Sequence, residues 1–245
     1  MISFEFINKS VFFPEQGILA IGDLHIGREE ALRQAGFMVP ETQVREIIED
    51  LEKIIKKIKE KKYKLKKIVF LGDIKHFFGY EWKERLYFKK VLEFLVRHVN
   101  EKDIILIKGN HDKFDFSGKK MKNYYFSKGI MFFHGHMDFL KINEERVKMW
   151  VMGHLHPSIL LSDRQNIKRE KYKCFLRGVY RGKEVIIVPS FFGAIEGSPV
   201  NSDEFTPEEG FSVIPPRELE SFSAFVVTEN EEVFDFGKVK NLQCA

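Results

Sequence analysis

The chain has 245 residues, of which 44% are hydrophobic and 31% charged, so it can form a packed core and is not expected to be disordered. No apolar run approaches the roughly 18 residues that a membrane-spanning helix needs, the first residues lack the basic start of a signal peptide, and the two cysteines have neither zinc spacing nor a disulfide framework. The net charge of +4 is too small to indicate nucleic-acid binding, and we expect a soluble cytoplasmic protein with no membrane or disulfide partner, folded as a single domain over residues 1–245.

Short apolar runs bounded by glycine recur along the chain and predict buried strands. After a first strand predicted over residues 3–13, five such runs follow, at 17–21, 67–71, 103–107, 129–133 and 149–152. Between the first three of these five, apolar residues repeat every three or four positions over 41–59 and 84–99, which predicts two helices with one buried face each. The order strand, helix, strand, helix, strand indicates parallel pairing through right-handed crossovers.

The chain changes character after about Ser158, where the pattern predicts hairpins instead of alternating strands and helices. Residues 175–188 and 222–236 form two predicted hairpins. Residues 198–216, rich in Pro, Glu and Ser, are predicted to form a long surface loop. A second, largely antiparallel sheet packed on the first is the simplest arrangement for these pieces.

Each of the five runs leads directly into side chains that can bind metal. The segments after the runs begin at Gly22, Gly72, Gly109, His134 and Gly153, and they supply Asp, His and Asn as candidate ligands. Because ligands bind beyond the carboxyl ends of parallel strands, these segments are expected to meet at one site. Oxygen and nitrogen donors without sulfur suit Mn²⁺, Zn²⁺ or Fe²⁺. Two ions about 3.5–4 Å apart require a bridging carboxylate, for which Asp73 is the candidate.

The five motifs resemble those of the calcineurin-like metallophosphoesterases. They are Gly22-Asp23-Leu24-His25, Gly72-Asp73, Gly109-Asn110-His111-Asp112, His134-Gly135-His136 and Gly153-His154-Leu155-His156, in the order of the family. The run from Gly22 to Gly27, and His76 three residues after Asp73, are most similar to the archaeal branch related to the nucleases SbcD and Mre11, and also to phosphoesterases found beside bacterial DNA-repair ligases. The resemblance implies an α/β fold, a four-layer α/β/β/α sandwich of the metallo-dependent phosphatase type.

The resemblance also implies two divalent metal ions. Mn²⁺ is the first choice of ion, with Zn²⁺, Fe²⁺ or Ni²⁺ as alternatives. One ion would be bound by Asp23, His25, Asp73 and His156. The other would be bound by Asp73, Asn110, His134 and His154.

Several further residues match positions near the reacting phosphate in the same family. His111 occupies the position of the catalytic histidine, where it could protonate the leaving oxygen or hold a phosphoryl oxygen. Asp112 holds the position that orients this histidine, and His76 matches a histidine near the scissile phosphate. His136 would lie behind the ligands or face the phosphate. Lys75 stands where the Mre11-like relatives have an aromatic residue.

The implied activity is metal-dependent hydrolysis of phosphodiester bonds in nucleic acid or nucleotides, by attack of a hydroxide that bridges the metals. A phosphomonoesterase, a cyclic-nucleotide phosphodiesterase and a non-catalytic binding scaffold are the alternatives. Basic residues interleaved with aromatic ones follow the last motif, and Arg164, Lys168 and Arg169 are candidates for binding DNA or RNA. An ordinary charged hairpin explains this segment equally well, and the oligomeric state stays open.

Overall fold

A computed structural model of the chain describes residues 2–77, 82–113, 120–162, 168–202 and 212–242. Its first sheet has the strand order β1-β2-β3-β4-β5, in which β3, β4 and β5 run parallel. The bounds are Glu5–Ile7 for β1, Ser10–Phe13 for β2, Ile18–Ile21 for β3, Lys67–Phe70 for β4 and Ile104–Leu106 for β5. Helix α1 spans Arg28–Gln34, α2 spans Gln43–Glu60 and α3 spans Trp82–Leu95. The predicted parallel strands and both predicted helices are therefore present.

The single strand predicted over residues 3–13 is wrong in one respect, because the segment folds into a hairpin of β1 and β2. The turn lies at Asn8 and Lys9, and Asn8 has the left-handed φ of 52°. Asparagine tolerates this conformation better than most residues, so the turn needs no glycine.

The second sheet contains the remaining described strands. In chain order these are β6 Tyr124–Ser127, β7 Ile130–Phe133, β8 Met149–Met152, β9 Pro157–Ser162, β10 Arg169–Tyr180, β11 Lys183–Ile187, β12 Ser198–Pro199, β13 Ser223–Val227 and β14 Val233–Lys238. The pairings β7 with β8, β8 with β11 and β9 with β12 are parallel, and the others are antiparallel. The runs at 129–133 and 149–152 thus belong to the second sheet, not to the sheet that holds the first three runs.

Alternation of side chains along the strands builds three apolar layers. In β3, Leu19 packs towards α2 and α3, whereas Ala20 packs between the two sheets. In β7, Phe132 faces the layer between the sheets, where the centroids of the Phe132 and Phe13 rings are 5.6 Å apart and the rings are perpendicular. Phe133 faces the outer layer. The predicted α/β/β/α order is confirmed, with two long helices covering the first sheet.

The outer layer over the second sheet is thin. It contains the short helix α4, Pro216–Leu219, and two single 3-10 turns that contribute Ile142 and Val239 to the core. The prediction of a surface loop over 198–216 is wrong for the part of this segment that the structure describes, because Val213 and Ile214 are buried in this layer. Residues 203–211 lie outside the described residues.

None of the helices in the described ranges has the length and apolar content needed to cross a bilayer. The Cys174 thiol is fully buried in the core, whereas Cys244 lies outside the described part of the chain.

Candidate metal centre

The five motifs meet at the edge where the two sheets face each other. The first three follow β3, β4 and β5 of the first sheet, and the last two follow β7 and β8 of the second. Four candidate ligands, His25, Asp73, His154 and His156, have left-handed φ angles of 45°, 46°, 70° and 41°. This conformation is costly for residues with a side chain and clusters at functional sites. Strained backbone at four candidate ligands is therefore consistent with a functional site at this edge.

The first donor set consists of Asp23, His25 and His156, which are all buried. The Nε2 atoms of His25 and His156 lie 3.2 Å apart, and the His156 Nε2 lies 3.3 Å from the Asp23 Oδ1. Two ligands that are each about 2.1 Å from one ion and at right angles lie about 3 Å apart. The spacing of these donors therefore fits one divalent cation.

The second donor set consists of Asp73, Asn110, His134 and His154. The His134 Nε2 lies 2.9 Å from the Asn110 Oδ1 and 3.4 Å from the Asp73 Oδ2, and His154 offers a nitrogen to the same cluster. The His134 Nδ1–H donates to the Leu71 carbonyl at 3.0 Å. In the neutral form of His134, this bond keeps the remaining proton on Nδ1 and leaves the Nε2 lone pair for a metal ion. The set is therefore suited to a second cation.

Asp73 lies between the two sets. Its Oδ2 is 3.9 Å from the His25 Nε2 of the first set, in addition to the contact with His134 of the second. Its Oδ1 accepts the His111 backbone N–H at 2.9 Å. A Cβ on Gly109 would overlap this carboxylate, so the third motif needs glycine there. Asp73 could therefore contact a cation held by either donor set.

The buried charges of the site stabilise one another. Burial raises the pKa of Asp23, but the attraction of His156 outweighs this effect and brings the pKa to about 2. Burial lowers the pKa of His134, but Asp73 beside it raises that pKa to about 9. Burial also lowers the pKa of His25 well below its usual value, so its ring is neutral. A metal ion binding at the second set must displace a proton from His134, and its affinity will depend on pH.

His76 and His111 stand beside the first donor set, and with His25 they form a third group of close imidazoles. The His111 Nδ1 donates to the His76 carbonyl at 2.7 Å, which turns its Nε2 towards the Asp73 Oδ2 at 4.0 Å. The Glu84 Oε1 accepts the His76 and Phe77 backbone N–H groups at 2.8 Å each. Burial, and then Arg28, lower the pKa of His76 to about 4. Glu84 therefore holds the loop that orients His111.

Asp112 is fully buried and joins two of the motif loops. Its carboxylate accepts backbone N–H groups from Gly109 at 3.0 Å and from Ile74 and Lys75 at 3.3 Å each. Burial, and then the Asp73 charge, raise the pKa of Asp112 to about 6. The Asp112 carboxylate thus stabilises the backbone of the loop that carries His111. The His111 ring itself is oriented by its hydrogen bond to the His76 carbonyl.

His136 and the basic candidates lie further from the donors. The His136 ring is 5.2 Å from the His134 ring and half-buried, and burial lowers its pKa to about 4. Lys168 pairs with Glu170 at 2.6 Å. Arg169 lines a surface groove that also contains Glu196, and Glu196 in turn lines the groove of His25, His76, His111 and His156. Arg164 lies outside the described residues. The two grooves are thus neighbours.

Sequence reasoning did not single out Arg28 or Gln43, and it placed Lys173 only among the basic residues that follow the last motif. Arg28 lines the groove of His76, and its guanidinium lies 3.4 Å from the His76 Nε2. The Gln43 Oε1 accepts the Gly27 N–H at 3.0 Å, and the Gln43 Nε2 donates to the His25 carbonyl at 2.8 Å. Arg28 directly follows the first motif, which was a usable signal. Gln43 had no such signal, because it resembles the ordinary polar residues around it. The interpretation of the basic segment as a binding surface is wrong for Lys173, because its ammonium donates to backbone carbonyls of the chain itself.

Lys173 supports the loop that packs behind Asp23. Its ammonium donates to the Ser190 carbonyl at 2.8 Å and to the Phe192 carbonyl, while the Phe191 N–H between them donates to the Asp23 carbonyl at 2.9 Å. Burial lowers the pKa of Lys173 well below its usual value.

We expect Lys173→Met to reduce the free energy of unfolding by about 2 kcal/mol, because it leaves buried carbonyls without a donor. Urea denaturation measures this loss. Lys168→Met, at an exposed position directly before the same strand, is the matched control and should leave the midpoint unchanged. Equal midpoints for Lys173→Met and wild type would show that the ammonium does not support the loop.

The chain is similar to a known protein family and to several solved structures. The sequence pattern described as Calcineurin-like phosphoesterase matches residues 17–175. Among solved structures, the nuclease MPE of Pseudomonas putida is 17% identical, with 94% of this chain and 92% of that chain covered and a TM-score of 0.59. A Vps29 single mutant from Entamoeba histolytica is 13% identical, with 90% and 99% covered and a TM-score of 0.40. A predicted phosphoesterase from Streptococcus pneumoniae is 13% identical, with 90% and 97% covered and a TM-score of 0.35. No curated protein matches the chain.

Proposed function

Because the chain belongs to the calcineurin-like phosphoesterase family, we propose that it hydrolyses phosphodiester bonds of nucleotides or nucleic acid with two divalent ions. The observation that carries the proposal is the position of Asp73, whose Oδ2 lies 3.4 Å from the His134 Nε2 and 3.9 Å from the His25 Nε2. One carboxylate oxygen is thus shared by two donor sets, as a two-metal site requires.

The residues of the chain divide the work of such a reaction. When bound, the two ions supply a water of lowered pKa and balance the negative charge of the phosphoryl group. Asp23, His25 and His156 would hold one ion, and Asn110, His134 and His154 the other, with Asp73 between them. His111, which is oriented by the His76 carbonyl at 2.7 Å, would donate a proton from Nε2 to the leaving oxygen. Asp112 would keep this loop in place.

The surroundings of the site favour a diester over a monoester. A groove of about 280 Å³ borders the first donor set, and a separate cavity of about 170 Å³ borders His134 of the second. A phosphodiester carries a substituent on either side of its phosphorus, and both substituents would have room. Arg28, in the first groove, would neutralise a flanking phosphate. Nuclease activity of the kind found in SbcD and Mre11 is part of this proposal.

A substrate panel tests the assignment. We expect the protein with Mn²⁺ to hydrolyse bis(p-nitrophenyl) phosphate and single-stranded DNA faster than p-nitrophenyl phosphate or cyclic nucleotides. A preference for p-nitrophenyl phosphate would instead indicate a phosphomonoesterase. No hydrolysis of any substrate with Mn²⁺, Zn²⁺, Fe²⁺ or Ni²⁺ would leave a binding scaffold as the better description.

Metal binding should also stabilise the fold. A ligand at 100 times its Kd contributes about 2.7 kcal/mol, which corresponds to a Tm increase of about 5–10 °C for a chain of this size. We expect this increase when Mn²⁺ is added to protein treated with EDTA, as measured by calorimetry. His98→Ala, at a half-buried site next to Phe94, should keep the full increase. A Tm that does not change with Mn²⁺ would contradict metal binding by these residues.

A further inference from the structure

The cavity beside His134 is separate from the groove that contains His76 and His111. It has a volume of about 170 Å³, and its lining includes polar side chains and the aromatic rings of Phe133 and Phe139. The groove and the cavity share no lining residue, and each borders a different donor set. A phosphate bound on both sets would therefore have one substituent next to this cavity.

The wall of the cavity is a braced aromatic surface. Phe133 is fully buried, and the Phe139 ring meets its edge at 5.8 Å with an angle of 88° between the ring planes. Phe139 also stacks on Tyr124, with 5.4 Å between the ring centroids and an angle of 26° between the ring planes. Contacts with two neighbouring rings restrain Phe139, so a flat ligand could stack on it without a large loss of side-chain entropy.

Polar groups surround the mouth of the cavity. Lys108 and Asn123 are exposed there, and His136 lies deeper. The His136 Nδ1 is buried and has no hydrogen-bond partner within the ranges that the structure describes. Apolar walls with a few polar groups are typical of sites for small molecules. An amide, an imidazole and an ammonium suit the edge of a heterocycle that is attached to an anion.

The size of the cavity limits the ligand. An apolar cavity of about 150 Å³ in another protein accommodates benzene, so the volume of about 170 Å³ here admits a single heteroaromatic ring. We propose that this cavity binds the base of the nucleotide whose phosphate lies on the two ions, with the base stacked on Phe139. The inference rests on the proposed function and names its substrate class, a nucleotide ester in preference to a simple alkyl ester.

Two substrates with the same leaving group test the inference. Thymidine 5′-(p-nitrophenyl phosphate) carries a base, and methyl p-nitrophenyl phosphate does not. We expect the wild-type protein with Mn²⁺ to have the higher kcat/KM on the thymidine ester. Phe139→Ala should reduce the ratio of the two kcat/KM values about 10-fold, through KM, because stacking on an aromatic side chain contributes at this scale.

Control variants separate loss of the cavity from loss of the fold. Phe234→Ala, at an exposed aromatic residue on β14, should keep the wild-type ratio. Met137→Ala, at an exposed position of the cavity mouth, should lower the ratio even if Phe139→Ala does not fold. Equal kcat/KM on both esters in the wild type, or an unchanged ratio in the cavity variants, would overturn the inference.

Failure of the proposed function would look different, because neither ester would be hydrolysed. Calorimetric titration then still decides whether the cavity binds a base. Thymidine 5′-monophosphate should bind more tightly than ribose 5-phosphate, and Phe139→Ala should remove the difference. Equal affinities in the wild type would overturn the inference without any catalytic measurement.

Discussion

Asp73→Asn should reduce kcat/KM for bis(p-nitrophenyl) phosphate with Mn²⁺ by at least about 1,000-fold, because the bridge between the ions contributes several kcal/mol. The substitution removes one negative charge from a position shared by both donor sets. It keeps an oxygen that can accept the His111 N–H, so the loop should stay folded. Activity assays and metal content measured on the same samples check the result.

Asp235→Asn is the matched control for Asp73→Asn. Asp235 lies on β14, is exposed, and its side chain accepts the Gly237 N–H at 2.8 Å. We expect its kcat/KM and metal content to equal those of the wild type. An Asp73→Asn protein that is folded and retains two ions with more than a tenth of the wild-type rate would refute the bridging role.

His111→Ala should produce the second largest loss, and its size should depend on the leaving group. A general acid contributes about 100- to 10,000-fold, and its contribution is greatest where the leaving oxygen is most basic. We therefore expect a large loss on a dinucleotide, whose leaving group is an alkoxide, and a much smaller loss on a p-nitrophenyl ester. Steady-state kinetics on the two substrates measure the difference.

His98→Ala serves as the control, since His98 packs on Phe94 at 5.0 Å after the end of α3. An equal loss on both leaving groups for His111→Ala would indicate that His111 binds a phosphoryl oxygen and does not protonate the leaving group. No loss on either would remove His111 from the mechanism.

The strands and long helices could be predicted because their patterns are local. The run from Ile68 to Leu71 is short, apolar and followed by Gly72, and α2 repeats its apolar residues on one face. The division of the runs between two sheets could not be predicted. A buried strand has the same composition in either sheet, so β7 and β8 resemble β3 and β4 in sequence.

Helix α1 escaped prediction for a related reason. It has seven residues and no apolar repeat, and its buried side chains are Glu29 and Glu30. Glu29 accepts the Thr42 N–H at 2.9 Å, and Glu30 pairs with Lys83 at 2.7 Å. Glu30 also contacts Arg33 within the helix, but Thr42 and Lys83 are distant in sequence, so no local pattern indicates that these carboxylates are buried.

The candidate ligands were identifiable from the sequence because each follows a strand within a short motif. The supporting roles of Glu84 and Lys173 could not be identified from the sequence. Glu84 lies on a helix and Lys173 on a long strand, and nothing in the local sequence of either element distinguishes them. The same holds for the ring of Phe139, which becomes part of a proposed binding surface only when the chain brings Tyr124 and Phe133 into contact with it.

Each donor set draws side chains from both sheets, which has a mechanical consequence. Asp23 and His25 extend from the first sheet towards His156 of the second, and Asp73 extends towards His134 in the same way. If one sheet moved along the other by a single residue, about 3.3 Å, the donors of both sets would separate. Bound ions would cross-link the two sheets. We therefore expect the release of the ions and the displacement of one sheet relative to the other to occur together.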